Sequence, residues 1–528
     1  MTEALINALL EPGVFPHETD KIQLQETHIS WIILTGSFAY KIKKPVDFGF
    51  LDYSDLEKRR HYCEEEIRLN QRFTSDLYLG VVPITGTLTS PVIDGAGPAI
   101  EYAVKMHQFE SGMLLSDLID NAELREVHID WLARVVARFH QQTEVAADDS
   151  SFGTPDAVWQ PVEENYRQIR EVLDEPGLLK RLDAIDEWSR AEYTSIRPVL
   201  AQRHAKGFIR ECHGDLHLGN VVMQNREISL FDCIEFNDNL RWIDVMSEVA
   251  FLVMDIEDHG RDDFAWRLLN AYLEITGDYA GLAVLRYYLV YRAIVRAKVA
   301  ALRLMQAGID EKSAAGIHRD FENYLSIAER HIGSQNPALI IMHGLSGSGK
   351  TTISQQIIEG LPAVRVRSDV ERKRLHGLTA HEKSHSRLDE GIYDVKSTQT
   401  TYARLAELAA LVCRAGYPVI VDATFIHADQ RLWFRHQAEE LDVPFRIIAC
   451  QASHTIIRGR IAAREALGQD ASEAPVAVLE RQLESHDPIE EQEQRYTLTV
   501  NTTETCSMKP ILDQLKEMLG KHIDAFHD

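Results

Sequence analysis

Four apolar runs in the C-terminal part of the chain, ALIIMHG, AVRVRSD, PVIVDATF and FRIIACQA, have the length of buried strands, and helically spaced segments fill the intervals. Strand-length runs alternating with helical segments predict an α/β fold: a parallel sheet with helices on both sides. The N-terminal part patterns differently. ISWIILTGSFAYKIKKPV predicts two strands around a Thr-Gly-Ser turn, SDLEKRRHYCEEEIRLNQRF a helix capped by Ser54 or Asp55, and LGVVPITG and AIEYAVKMHQF two further strands. From Leu114 to Ala201, and again from RLLNAYLEITG through HRDFENYLSIAERHI, the spacing is helical, with HGDLHLGNVV and ISLFDCIEFN set in as loop-and-strand elements. The expected architecture is two domains: an α+β domain with a small strand-rich lobe and a larger helical lobe over 1–330, a Gly/Ser/Asn/Pro linker at 331–337, and the α/β domain over 338–528.

At 528 residues the chain exceeds the size at which one core stops growing, which fits that division. No apolar run approaches bilayer length, and the opening MTEALINALLEPG lacks the basic and apolar regions of a signal peptide, so a cytoplasmic protein is expected. Six cysteines, none in a C-x-x-C pair, read as reduced core thiols. A formal charge of −25 opposes general binding to nucleic-acid phosphates. One local exception is VRVRSDVERKRLHG, whose Arg365, Arg367, Arg372, Lys373 and Arg374 read either as an anion-binding patch or as a solvated helix face.

HGLSGSGKTT follows the first of the four C-terminal strands and opens a helix, as a phosphate-binding loop requires. Gly344, Gly347, Ser348 and Gly349 shape a loop whose backbone N–H groups wrap phosphates, Lys350 reaches the β and γ oxygens, and Thr351, with Thr352 beside it, offers a hydroxyl to Mg²⁺. Asp369 ends the next strand on the same sheet edge, where it serves as a base for an acceptor hydroxyl or as a helix N-cap. Asp422 ends a third strand as a Walker-B acid does, within reach of Mg²⁺. Arg460 and Arg464 share one helical face and read either as a lid over the nucleotide or as surface salt bridges to Glu465 or Asp470. The order P-loop, RSDVER, VIVDATFIHADQRLWF, RGRIAARE and VAVLERQ resembles the kinase domain of bacteriophage polynucleotide 5′-kinase and related gluconate kinases and zeta toxins, over most of 337–500. The resemblance implies an ATP or GTP donor, Asp369 activating the acceptor hydroxyl, Arg372 on acceptor phosphate and Arg464 on the donor. It leaves the acceptor open, because one such scaffold serves many acceptors.

In HGDLHLGN, Asp215 precedes Asn220 by five residues, and ISLFDCIEF presents Asp232 after an apolar strand. This is the spacing of a kinase catalytic loop and metal strand: one Asp for the nucleophile, an Asn and a second Asp for Mg²⁺. A two-metal phosphoesterase built on His213, Asp215 and His217 needs further ligand clusters, such as a G-N-H stretch, that the chain lacks. Lys41 and Lys43 in SFAYKIKKPV are both candidates for the α and β phosphates, Lys41 preferred, with Glu66 of the following helix as ion-pair partner. These residues resemble the aminoglycoside phosphotransferase and choline kinase branch of the protein-kinase-like fold, with its H-G-D-x-x-x-x-N loop, over roughly 30–330. The resemblance makes the first domain bilobal and protein-kinase-like and places Asp244 as an acid bracing the catalytic loop. DCI stands where D-F-G is usual, and TGS replaces a Gly-rich loop.

These readings predict a bifunctional, Mg²⁺-dependent ATP phosphotransferase without membrane partners. The N-terminal site would act on a small-molecule hydroxyl, and the C-terminal site on an anionic small molecule or a 5′-hydroxyl oligonucleotide. Two alternatives stay open: one active kinase beside a regulatory nucleotide-binding domain, and a nucleotide-gated switch or toxin-like ATPase. As a whole the chain resembles bacterial fusions of an aminoglycoside phosphotransferase domain with an ATP-binding domain.

Overall fold

Strands β1 (Gln23–Glu26), β2 (Ser30–Leu34), β3 (Phe38–Lys43), β4 (Tyr78–Thr87), β5 (Ser90–Ile93) and β6 (Glu101–His107) pair antiparallel in the order β1-β2-β3-β6-β4-β5. The Thr-Gly-Ser turn joins β2 to β3; Gly36 sits there at φ +97°, where a Cβ would lie 2.8 Å from a carboxylate oxygen of Asp20. On one face, Leu5, Ile6 and Leu9 of α1 (Thr2–Leu9) pack with Ile33, Tyr40 and Ile42. Lys41 and Lys43 occupy the opposite pleat of β3, toward α2 (Leu56–Asn70). Asp55, not Ser54, caps α2, accepting the Lys58 N–H. Arg59, Cys63, Glu66 and Asn70 form its buried stripe at helical spacing, a largely polar stripe that apolar patterning does not reveal.

The expected helical stretch resolves into α3 (Leu115–Asp120), α4 (Glu126–Gln142), α5 (Pro155–Val172) and α6 (Pro176–Ala205). Then come β7 (Ile209–Glu211), the hairpin β8 (Val221–Gln224) and β9 (Glu227–Leu230), α7 (Asp238–Arg241), β10 (Trp242–Asp244) and α8 (Val245–Asp258). Antiparallel pairing of β7 with β10 closes the base of the segment that carries HGDLHLGN and the hairpin.

Three long helices, α9 (Asp262–Thr276), α10 (Leu282–Leu304) and α11 (Glu311–Ile332), lead to the second sheet. Its elements are β11 (Leu339–His343), α12 (Lys350–Gly360), β12 (Val364–Arg367), α13 (Ser368–Leu375), α14 (Val395–Arg414), β13 (Val419–Asp422), α15 (Ala428–Glu440), β14 (Phe445–Gln451), α16 (His454–Leu467), α17 (Val476–Ser485), β15 (Thr497–Asn501) and α18 (Lys509–Asp524). The strands run parallel in the order β12-β13-β11-β14-β15. Central β11 is buried at every position, as a strand between two neighbours and two helical layers must be. Ile340, Met342, Ile353, Ile357, Ile420 and Ile448 anchor its core, each contributing roughly 1.5–3 kcal/mol by burial.

The computed structural model describes all residues but 1, 50, 75, 306–309, 334, 381, 385–390, 468–475, 505–506 and 525–528. Packing divides the chain into one unit of residues 1–125, 138–171 and 197–255 and another of 126–137, 172–196 and 256–528. Helices α9 to α11, the last of which runs to Ile332 and so into the stretch expected as a linker at 331–337, thus pack in the unit that holds the parallel sheet. Among the described residues five cysteines are free and buried, Cys506 lying outside them, and no helix is long and apolar enough to cross a membrane.

Candidate active sites

The loop HGDLHLGN is held from beneath by carboxylates of α8. Glu248 Oε2 accepts the backbone N–H groups of His213 (2.8 Å) and Gly214 (2.7 Å), and its Oε1 lies 2.9 Å from His140 Nε2. Asp255 accepts the Leu218 N–H at 2.8 Å. Burial pushes the Glu248 carboxyl up, but His140 and the backbone donors bring it down to about 2, so it stays ionised at neutral pH. This corrects the sequence expectation for Asp244. That residue grips Arg203 with both oxygens (2.7 and 2.8 Å), while Glu248, four residues on in the first turn of α8, aims back at the loop.

Hydrogen bonds stitch the loop to the strand end that carries Asp232. His213 Nε2 pairs with the Phe231 carbonyl (2.7 Å), Phe231 N donates to Asn220 O (3.1 Å), and Ile234 N donates to His213 O (3.1 Å). Asp232 itself takes φ +63°. Asn220 Nδ2 donates to the Asp215 carbonyl (3.0 Å) and lies 3.4 Å from Asp215 Oδ2, which fixes the spacing of the two polar residues. With its Nε2 on Phe231 O, its Nδ1 facing the Asp215 N–H and its ring wholly buried, His213 organises the loop rather than facing outward as a ligand.

Lys41 Nζ bridges Glu66 Oε1 (2.9 Å) and Asp232 Oδ1 (2.5 Å). Lys43 Nζ takes the other Glu66 oxygen (2.7 Å) together with Glu235, which also accepts from Tyr53 OH. Burial depresses both ammonium groups, yet Asp232 and Glu66 raise Lys41, and Glu235 and Glu66 raise Lys43, so both stay charged. Burial raises Glu66, and the two lysines outweigh it and hold the carboxyl well below its usual range. The structure thus brings Lys41, Glu66 and Asp232 together and adds Lys43, Glu235 and Tyr53 as a buried foundation. Nothing local in the sequence pairs Glu235 with Lys43. Lys43→Met leaves buried Glu235 without its lysine and Glu66 with Lys41 alone, and is expected to destabilise this unit by about 3–5 kcal/mol. Lys41→Met, beside an Asp232 side chain that is 43% exposed, is expected to lower the melting temperature less. Thermal melting of the two variants checks the order.

In the second unit β11 to β14 end on one edge, where Arg367 of β12 registers with Asp422 of β13. A cleft of about 880 Å³ opens there, bordered by Gly347, Gly349, Lys350, Thr351, Thr352, Asp369, Arg372, Asp422, Arg460 and Arg464. Gly344 lies deeper at φ +141°, where a Cβ would meet Cys450 O at 2.6 Å, and Gly347 and Gly349 take φ +80° and +92°. Lys350 Nζ donates to the carbonyls of Gly344 (2.9 Å) and Leu345 (2.8 Å) on the cleft floor. Burial lowers its pKa, and Asp422 and Asp369 only partly offset that. Ser348 Oγ is buried without a hydrogen-bond partner, and Ser354 Oγ lies 3.2 Å from Asp422 Oδ2. Asp369 stands in the first turn of α13, whose N-cap position is Arg367, so it is not the N-cap. Arg460 borders the cleft while its guanidinium rests on Thr502 (2.5 and 3.3 Å), and Arg458 pairs with Glu480. Asp470, one salt-bridge partner considered for this arginine cluster, lies outside the described residues.

The basic run is neither a solvated face nor an open patch. Arg365 and Arg367 pair with Glu274 of α9, Arg374 with Glu371, and buried Lys373 donates to Ala380 O (3.1 Å). Glu274 lies on another element, so charge spacing along the chain could place the Glu371–Arg374 pair at i,i+3 but not the partner of Arg365 and Arg367. Arg372 is buried against Tyr393, donating to Ile392 O (3.1 Å) and Thr398 Oγ1 (3.2 Å). The cleft nonetheless sets six cations, Lys350, Arg367, Arg372, Arg460, Arg464 and Arg481, against the carboxylates Asp369, Asp422 and Asp429. Sequence reasoning missed Gln482, which follows Arg481 on α17 and accepts the Ser346 N–H of the P-loop at 2.8 Å; VAVLERQ was the only signal.

The family model described as Phosphotransferase enzyme family matches residues 64–286, and the one described as AAA domain matches 339–489. An uncharacterised protein of Mycobacterium tuberculosis is 30% identical over 462 residues, 87% of this chain and 89% of the relative. Among solved structures, a putative kinase from Chloroflexus aurantiacus is 25% identical and covers 35% of this chain and 99% of its own, with a TM-score of 0.29. Plasmodium vivax ethanolamine kinase is 9% identical and covers 59% of this chain and 81% of its own, with a TM-score of 0.37.

Proposed function

The chain belongs to the family, represented by the mycobacterial relative, that joins a phosphotransferase-type domain to a P-loop kinase domain and is thereby a kinase-type enzyme, and from that premise we propose that each domain carries its own ATP site. Each site transfers the γ-phosphoryl group to a hydroxyl. The observation that carries this reading is the occurrence of two separate sites in which a buried lysine stands with carboxylates, Lys41 with Glu66 and Asp232, and Lys350 in one cleft with Asp422 and Asp369.

The residues fit a triphosphate. The positive-φ glycines leave the P-loop backbone unobstructed by side chains, Ser348 Oγ has no protein partner, and a buried Lys350 short of countercharge is matched by a polyanion. Thr351 and Asp422 would hold Mg²⁺ there, as Asn220 and Asp232 would in the first domain. When bound, the ion neutralises phosphate oxygens. Lys41, oriented by Glu66, reaches the α and β phosphates, and Asp215 orients the acceptor hydroxyl and takes its proton. In the second domain Asp369 takes that role, Arg372 faces the acceptor, and Arg460 and Arg464 flank the donor.

The first site takes a small-molecule alcohol; the second, with its cationic excess, takes an anionic acceptor such as a phosphorylated metabolite or a 5′-hydroxyl oligonucleotide. An ATP donor fits a cytoplasmic location. Screening metabolites and 5′-hydroxyl oligonucleotides with labelled ATP should reveal acceptor-stimulated ADP release, with the KM for the second site's acceptor rising with salt. Release that responds to a macromolecular partner and to no hydroxyl compound contradicts the reading.

A further inference from the structure

Helix α9 lies in the segment matched by the phosphotransferase family model, yet it packs in the same unit as the P-loop sheet, against β12. Strand β12 is the sheet's edge, where one row of backbone groups lacks a neighbouring strand. Asn270 supplies that neighbour in miniature: its Nδ2 donates to Ala363 O (3.0 Å) and its Oδ1 accepts the Arg365 N–H (2.7 Å). One turn further, on the same helical face, Glu274 Oε1 accepts from Arg365 Nε (2.9 Å) and Nη2 (2.6 Å). Tyr279 OH donates to Arg365 O at 3.3 Å. Burial raises the Glu274 carboxyl, but Arg365 and Arg367 outweigh it and keep it ionised.

The remaining Arg365 nitrogen, Nη1, lies 3.5 Å from both Thr351 O and Ser354 Oγ. Ser354 Oγ in turn lies 3.1 Å from Thr351 O and 3.2 Å from Asp422 Oδ2. A chain of contacts therefore runs from Glu274 through Arg365 to Thr351 and Asp422. Without the Glu274 charge, the buried guanidinium is left to Thr351 O of the P-loop and Ser354 Oγ of α12 and is drawn onto the groups that flank Asp422.

We infer that Glu274 is a positioning residue of the P-loop site, fixing Thr351 and Asp422 through Arg365, so that a helix from the phosphotransferase-matched segment completes the metal side of the second nucleotide site. This rests on the reading of Thr351 and Asp422 given above. It makes the fusion more than a tether, because cutting the chain at the 331–337 linker removes α9 from the site.

The test uses the full chain with Asp232→Asn silencing the first site, and follows binding of a fluorescent N-methylanthraniloyl ATP with and without Mg²⁺. Adding Glu274→Gln should raise the Mg²⁺ concentration for half-maximal tight binding by about ten-fold, the scale of losing a group that orients metal ligands. Mg²⁺-free affinity should hold, and Glu274→Asp, which keeps the charge, should recover most of the loss. A merely structural role lowers the melting temperature without moving the Mg²⁺ midpoint. If Glu274→Gln does not fold, Arg365→Lys gives the same readout, because lysine keeps the charge without the fork that spans Glu274 and Ser354. An unchanged Mg²⁺ midpoint, or equal losses with and without Mg²⁺, overturns the inference alone. Absence of Lys350-dependent binding in the parent chain overturns it together with the reading of the site.

Discussion

Asp369→Asn is expected to slow phosphoryl transfer at the P-loop site by on the order of 10²–10⁴-fold while leaving ATP affinity nearly unchanged. Among the described residues, the loop that holds phosphate, from Gly344 to Thr351, makes its hydrogen bonds to groups other than Asp369, so its shape does not depend on that side chain. The acceptor hydroxyl, by contrast, loses the carboxylate that orients it and takes its proton. A capping role would predict survival, since Asn caps as well as Asp. The geometry speaks against that role, because Asp369 is the second residue of α13 and the N-cap position belongs to Arg367, with no side-chain cap bond. Single-turnover transfer to the identified acceptor, with folding checked by melting, gives the answer. Near-wild-type transfer would reduce Asp369 to a favourable charge at a helix N-terminus.

The second large effect is a pair of single-site losses. Asp232→Asn should remove Mg²⁺-dependent nucleotide binding in the first domain, because the amide takes away the charge paired with Lys41 and proposed for the metal. Asparagine tolerates the φ of +63° at this position, so the turn survives, which alanine would not guarantee. Lys350→Ala should remove binding at the second site only, since Lys350 lies on the floor of its own cleft and makes its hydrogen bonds to Gly344 and Leu345. Each variant should keep the other site's affinity. Loss of both sites in either variant would contradict two independent centres.

Much of the second domain was legible because its signals are local. Each apolar run became a parallel strand, and the P-loop, Asp369 and Asp422 then followed from where strands end on a shared edge. Strand β15, with its mixed TLTVN, and the wholly exposed edge strand β1, QLQE, carried no such pattern. In the first domain the loop motif placed Asp215, Asn220 and Asp232, but the supports were hidden. The buried face of α2 is Arg59, Cys63, Glu66 and Asn70, a stripe that scores as surface until Lys41, Lys43 and Glu101 are seen against it. Lys41 and Lys43, which the sequence offered as alternatives, each pair with one oxygen of the same Glu66. Glu248, not Asp244, braces the loop because a helix begins between them, and Glu274 reaches Arg365 across 91 residues of sequence. Pairings of that range are set by packing and leave no periodic trace.

The account stands most directly on how many nucleotides one chain binds. Equilibrium dialysis or calorimetry with a non-hydrolysable ATP analogue and saturating Mg²⁺ should give two per chain for the wild type, one for Asp232→Asn, one for Lys350→Ala and none for the double variant. A wild-type stoichiometry of one, abolished by a single substitution, would contradict it.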